Sequence, residues 1–218
     1  MVSHQATAIP TVRFTHFGFW VKDLEKMGDF YQRLFKMYRS DEGRIDGHDL
    51  KAELIFLTRD PMVHHQIVLI GGKPDGITFN VINQISFLVG SLSDLRTFWN
   101  ILKDEHDVSD IYSLTHGNAW SIYFKDPEGN RVELYVDTDW YVGQPFREEL
   151  DFNFSDEEIV KRTKEIVHQY STVEPINNWR KRVAESIGLK TVSYTHLRAH
   201  ETDSYIVCRH LIEKKNGG

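Results

Sequence analysis

Cysteine is almost absent: Cys208 is the only one in 218 residues. A disulfide framework and a cysteine-based zinc site are thereby excluded, and the pattern fits a reducing cytoplasm. Basic charge is short as well. Lys and Arg number 26 against 32 Asp and Glu, for a formal net charge of −6. A nucleic-acid binder would carry a basic stripe, so no nucleic-acid partner is expected. No apolar run approaches the roughly 20 residues that cross a bilayer, so no membrane partner is expected either. The opening "MVSHQATAIP" lacks the basic and apolar regions of a signal peptide. What the chain does have is 40% hydrophobic and 12% aromatic residues, enough for a packed core, and eleven histidines.

The chain is written twice. "HFGFWVKDLEKMGDFYQRLF" from His16 and "QISFLVGSLSDLRTFWNIL" from Gln84 align at a step of 68 residues. At that step Phe19 meets Phe87, Val21 meets Val89 and Leu24 meets Leu92. Phe30 meets Phe98, Tyr31 meets Trp99 and Leu34 meets Leu102. Each copy opens with an alternating strand. A turn with Asp23 or Ser91 placed as helix cap follows, then an amphipathic helix. Strand signals come next at about 36–41, 52–58 and 63–70, and again at about 111–115, 119–125 and 131–137. Asp60-Pro61, Asp126-Pro127 and Gly129-Asn130 mark the turns. The expected fold class is α+β, with two βαβββ modules (about 12–72 and 81–138) in one domain over 12–140. The Gly- and Pro-rich stretch 71–80 links them.

Beyond the repeats, "SDEE" from Ser155 is a capping box that opens a helix carrying Ile159, Ile166, Val167 and Tyr170. A second short helix holds Trp179, Val183 and Ile187, giving a helical extension over 147–188 docked outside the repeats. The tail 191–218 has no periodicity and resembles a translated sequencing-adapter fragment. It is expected to be non-native or disordered, so His196, His200, His210 and Cys208 are set aside.

Alternate strand residues share a face. Phe17, Phe19 and Val21 suit the helix side of the first strand, which turns His16 to the opposite side with Phe14, Gly18 and Trp20. In the second copy Ile85, Phe87 and Val89 take the helix side and Gln84 takes the place of His16. In "RVELYVD" Glu133 points away from the apolar face, and the same step of 68 pairs it with His65. His16, His65, Gln84 and Glu133 therefore form two equivalent pairs that pseudo-twofold packing would bring into one cavity, with N and O donors for a divalent metal. Taken singly, each has a structural reading. A strand histidine is usually structural, and a strand glutamate usually pairs with a basic neighbour. Gln84 sits at the start of a strand that reads as buried, where an unpaired amide costs about 1–3 kcal/mol.

The duplicated pattern, with "HFGFWVKDLEKMGDFY" opening one half and "YFKDPEGNRVELYVDT" closing the other, resembles the vicinal oxygen chelate superfamily over about residues 12–140. That superfamily includes glyoxalase I, extradiol dioxygenases, fosfomycin-resistance enzymes and bleomycin-binding proteins. The closest look is to the catalytic half of type I extradiol catechol dioxygenases. The resemblance implies His16 and Glu133 as metal ligands, with Gln84 at the third ligand position. It also implies His65 as the acid/base histidine and Tyr123, ten residues before Glu133, beside the substrate hydroxyl. His116, in its "HG" context, matches a further catalytic histidine more loosely. Fe(II) is the implied cofactor, with Mn, Zn or Ni as substitutes, a small molecule the implied partner, and a homodimer the usual assembly.

Gln84 departs from that pattern, which has histidine in its place to complete a facial triad for Fe(II). A neutral amide oxygen binds iron more weakly and donates less charge. Some glyoxalases use glutamine at this strand position, so a Lewis-acid isomerase or lyase is the alternative, with His65 as fourth ligand or base. A metal-free small-molecule binder is the third reading, against which the retained donors argue. Trp20, Trp120 and Phe14 either line a ring pocket or form plain core.

Overall fold

The computed structural model describes residues 12–188 apart from 49, 78 and 80. The expectation about the tail 191–218 lies outside the described residues. In chain order the elements of the first half are β1 (Phe17–Val21), α1 (Leu24–Phe35), β2 (Tyr38–Asp46), β3 (Lys51–Thr58) and β4 (Ile67–Gly71). The second half repeats them as β5 (Ile85–Leu88), α2 (Leu92–Asp104), β6 (Ser109–Thr115), β7 (Ala119–Lys125) and β8 (Arg131–Asp137). Then come β9 (Trp140–Tyr141), β10 (Glu148–Glu149), α3 (Asp156–Val167), β11 (Glu174–Pro175) and α4 (Ile176–Ser186). The fold is α+β, with the βαβββ order present twice. The three two-residue strands β9 to β11 carry no alternation long enough to be read from sequence.

The helices start where their caps predict. Asp23 accepts from the Lys26 amide at 3.0 Å, Ser91 from the Asp94 amide at 3.0 Å, and Ser155 from the Glu158 amide at 3.3 Å. In α1 the buried residues Met27, Phe30, Tyr31, Leu34 and Phe35 follow three- and four-residue steps, so one stripe faces inward. No helix among the described residues is long and apolar enough to cross a membrane.

Two sheets carry the repeats. The first has the order β1-β4-β3-β2, with β1 parallel to β4 and the other pairs antiparallel. Its outer strand β2 is largely exposed and carries a bulge between Arg39 and Asp41. Arg39 there pairs with Glu25 and Glu42, and Arg44 with Asp46 and Glu53. The second sheet has the order β10-β6-β7-β8-β5.

The step of 68 holds for β1 against β5 and for β3 against β7, and then fails in the last strand. In the first sheet Val21 faces Gly71. The parallel pattern there has Phe17, which faces Ile67, donating to the carbonyl of Gln66. Val89 donates to the carbonyl of Tyr135, so by the same pattern it faces Val136. The step from Gly71 to Val136 is 65 residues, against 68 from Val21 to Val89. The loop before β4 is three residues longer than the turn before β8, and it absorbs the difference. Val68, not His65, is thus the register counterpart of Glu133, and His65 lies in the loop 59–66 ahead of β4.

By contacts the chain forms two compact units. The first comprises the described residues up to Ile85 with Asp104–Ile111 and Tyr123–Glu133. Its core is the α1 stripe against Ile55, Leu57, Ile67 and Leu69, all essentially inaccessible. Phe30 meets Tyr31 edge-on at 5.3 Å between ring centres. Tyr31 donates its hydroxyl to Asp126 at 3.1 Å. Burial, with the charge of Asp126 added, holds the Tyr31 phenol well above the ordinary tyrosine range. A folded pKa above the unfolded one contributes stability that is complete below about pH 10 and is lost as pH rises through the folded value. Thermal melts should show stability falling between pH 9.5 and 11 more steeply, by up to about 1.4 kcal/mol per pH unit, in wild type than in Tyr31→Phe. Equal slopes would show that the buried phenol ionises in place.

The second unit comprises Ser86–Lys103, Tyr112–Ile122 and the described residues from Leu134. Arg96 on α2 ties down the helical extension, donating to the Asp156 carboxylate at 2.8 Å and to the carbonyls of Phe152 and Phe154 at 2.5 and 2.7 Å. Val142, Phe146 and Val167 form a small buried cluster there. Gly117 (φ +72°) packs so tightly against it that a Cβ would fall 2.3 Å from Val142 Cγ1. The glycine after His116 is thus demanded by backbone conformation and close packing.

Candidate metal centre

His16 sits one residue ahead of β1 and Gln84 one residue ahead of β5, so the pairing of these two positions survives. Burial differs from expectation. Gln84 is exposed and Leu88 is 52% exposed, because β5 is the edge strand of its sheet and is paired on one side only. Gln84 therefore does not face the full penalty of a buried amide. It is nonetheless hydrogen-bonded, donating Nε2 to Glu133 Oε2 at 2.8 Å.

Glu133 is the most enclosed of the four expected donors, 7% exposed within β8. Its other oxygen accepts from the Tyr123 hydroxyl at 2.5 Å. Tyr123 stands across the β7–β8 hairpin and is itself buried. Both oxygens of this buried carboxylate accept hydrogen bonds, and carboxylate oxygen is a ligand type that suits a divalent cation. An amide that donates through Nε2 turns its oxygen elsewhere, and that oxygen is the donor a cation can use.

The histidines form a second group. The His16 and His65 rings meet edge to face at 4.4 Å between centres. The contact follows from the β1–β4 register, which sets His16 beside the residues just ahead of Ile67. Thr15 Oγ1 lies 2.9 Å from His16 Nδ1, which directs that ring's Nε2 away from its own backbone. His64 Nδ1 lies 2.8 Å from His65 Nδ1, so one of the two must carry the shared proton. Partial burial, then the neighbouring His16 and His64, push the His65 pKa below the ordinary histidine value. His64, which reading the strand faces passed over, is visible in the sequence only as the first half of the "HH" pair.

His16, His65, Gln84, Tyr123 and Glu133 all belong to the first compact unit. Among the described residues no three or more His, Cys, Asp or Glu side chains are already placed to hold a metal ion. The donors stand as two groups, the histidine pair and the Gln84–Tyr123–Glu133 triad. Their chemistry fits a divalent metal: imidazole nitrogen, carboxylate and amide oxygen.

His116 belongs to the second unit, where its Nδ1 lies 2.9 Å from the carbonyl of Phe146. Trp120 is 6% exposed and donates its indole N–H to Thr163 at 2.8 Å, so it packs under α3 rather than lining a ring pocket. Phe14 and Trp20 are 81% and 44% exposed, so neither is core.

The sequence profile of the Glyoxalase/Bleomycin resistance protein/Dioxygenase superfamily matches residues 13–134. The chain belongs to this superfamily. The match ends one residue past Glu133, so it spans both groups of candidate donors. Two curated proteins from Rhodococcus globerulus are similar to it. Biphenyl-2,3-diol 1,2-dioxygenase 2 is 27% identical over 131 residues, and biphenyl-2,3-diol 1,2-dioxygenase 3 is 28% identical over 132. Each match covers 58% of this chain and 64% of the relative's length. Among solved structures, a glyoxylase/bleomycin resistance protein/dioxygenase domain from Frankia sp. EAN1pec is 19% identical with a TM-score of 0.46. That likeness covers 61% of this chain and 95% of the other. The fosfomycin resistance protein FosX from Listeria monocytogenes, complexed with Mn(II), is 21% identical with a TM-score of 0.41, over 60% and 95% of the two chains.

Proposed function

We propose that the chain is a metal-dependent extradiol-type dioxygenase that opens a catecholic ring of the 2,3-dihydroxybiphenyl class with O2. The observation that carries this reading is the buried Glu133 carboxylate, with Tyr123 on one oxygen and Gln84 on the other. The two Rhodococcus dioxygenases similar to the chain supply the substrate class. In this reading His16, Gln84 and Glu133 hold the metal, Fe(II) before Mn, Zn or Ni. What a bound ferrous ion supplies is chelation of the two vicinal oxygens and the reducing power that O2 needs. Tyr123, aimed by its bond to Glu133, meets one substrate hydroxyl. His65 takes the proton of the other and returns it as the ring opens, a task suited to an imidazole at neutral pH. Both atoms of O2 end in the product, and the ring bond beside the diol is the one that breaks.

The amide at Gln84 supports a second reading, in which the metal stays a Lewis acid and the reaction is a glyoxalase-like isomerisation or lyase step. One pair of assays separates the two. Protein loaded with Fe(II) anaerobically is given a catechol panel including 2,3-dihydroxybiphenyl, then O2. A yellow ring-cleavage product with matched O2 uptake is expected. Gln84→His, which restores an imidazole donor, is expected to raise that rate by about tenfold or more. Stoichiometric metal with no O2 uptake in either protein would move the assignment to the Lewis-acid reading.

A further inference from the structure

The hairpin that carries Tyr123 and Glu133 turns through "DPEGN", residues 126–130. Tyr123 lies three residues before the turn and Glu133 three residues after it. The turn is held from inside by Asp126, whose Oδ1 accepts from the amides of Glu128 and Asn130 at 3.0 and 2.8 Å. It is also held from outside, by Glu128. Oε1 of Glu128 accepts from two consecutive backbone amides, Lys22 at 2.7 Å and Asp23 at 2.8 Å. These are the residues that leave β1 and cap α1. Oε2 is buried without a hydrogen bond among the described residues and lies 3.7 Å from Lys73 Nζ, both side chains being about one-tenth exposed. All of these residues belong to the first compact unit.

The consequence concerns β1. His16 stands at one end of that five-residue strand and Lys22 follows the other end. Strand backbone is extended and stiff, so fixing Lys22 and Asp23 to the hairpin tip fixes how far His16 can slide along the hairpin. We propose that Glu128 is a positioning residue: by clamping the end of β1 to the β7–β8 turn it sets the spacing between the His16 imidazole and the Glu133 carboxylate. This rests on the metal reading above, and it adds a residue that touches neither metal nor substrate.

Mn(II) alone is the probe, titrated calorimetrically into full-length protein at a temperature well below every variant's melting point. Glu128→Ala is expected to weaken Mn(II) binding by about tenfold or more, the scale of lost support behind a ligand. Glu128→Gln keeps an oxygen for both amides but abandons Lys73. It should melt earlier than wild type while holding its Kd within about threefold. Weaker binding in Glu128→Ala, with Kd held in the destabilised Glu128→Gln, is a difference that a merely structural role would not produce. Trp120→Phe, which loses its bond to Thr163 in the other unit, should melt earlier with an unchanged Kd. If Glu128→Ala does not fold, Glu128→Asp, which keeps the charge but cannot span the gap, carries the test with the same weakening expected. Wild-type affinity in the Ala or Asp variant overturns the proposal alone, as does equal weakening in the Gln or Trp120 variants. Wild-type protein that takes up no Mn(II) overturns the metal reading and this one with it.

Discussion

Glu133→Gln is expected to lose divalent-metal affinity by about 100-fold or more and, under the proposed dioxygenase reading, all ring-cleavage activity at ordinary metal concentrations. Removing an outer-shell partner of a metal ligand typically costs 10- to 100-fold, and Glu133 is assigned as a ligand itself. The substitution keeps the shape of β8 and exchanges a charge for an amide. Tyr123 and Gln84 keep an oxygen to share between them, so folding should survive, and circular dichroism should confirm it. Relief of a buried charge offsets the weaker hydrogen bonds, which leaves the melting point close to wild type. The effect thus lies in binding rather than in stability. Calorimetric titration that found wild-type Mn(II) affinity in Glu133→Gln would remove the metal centre from this part of the chain.

The largest stability loss is expected from Asp126→Ala. Asp126 is 3% exposed and accepts from four donors: the amides of Glu128 and Asn130, the Asn130 side-chain amide at 2.8 Å, and the Tyr31 hydroxyl. Each buried donor left without an acceptor costs about 1–3 kcal/mol. Burial raises the Asp126 pKa above the usual aspartate value against the pull of those donors, so part of the loss is returned when the charge goes. A net loss of about 3–4 kcal/mol is expected, or roughly 10 °C in melting temperature for a chain of this size. Asp126→Asn keeps one acceptor oxygen and should lose about half as much. Equal melting temperatures for wild type and Asp126→Ala would mean that the turn is held by Glu128 alone.

Much of the fold was legible because its signals are local. Asp23, Ser91 and Ser155 announce three helix starts, and alternation marks β3, β6, β7 and β8 to within a residue or two. The step of 68 was legible wherever the two halves have equal loops. It misled at His65, because three extra residues ahead of β4 leave no trace in composition. His65 nonetheless ends beside His16, through the parallel register of β1 and β4 rather than through symmetry with Glu133. Exposure at Gln84 and Leu88 was not legible, since an edge strand and a central one share the same alternation. Nor were the bond of Tyr31 to the β7–β8 turn and the bonds of Glu128, within that turn, to the end of β1, whose partners lie about a hundred residues away in sequence. The outcome for Gln84 is a change of partner: expected to offer only its oxygen to a metal, it is found giving its N–H to the carboxylate that would share that metal.

The nine-residue outer strand β2 bears on whether another chain can add to the first sheet. A sheet margin of that length presents a row of open N–H and C=O groups on which another chain can add, the first step toward fibrous aggregates. Here Arg39, Asp41, Glu42, Arg44 and Asp46 crowd that margin, and the irregularity at Arg39–Asp41 bends it out of line. A second copy approaching along this strand would have to strip water from that row of charges and would meet a backbone that is not flat. The ion pairs of β2 thus matter less for what they hold together than for what they keep from attaching.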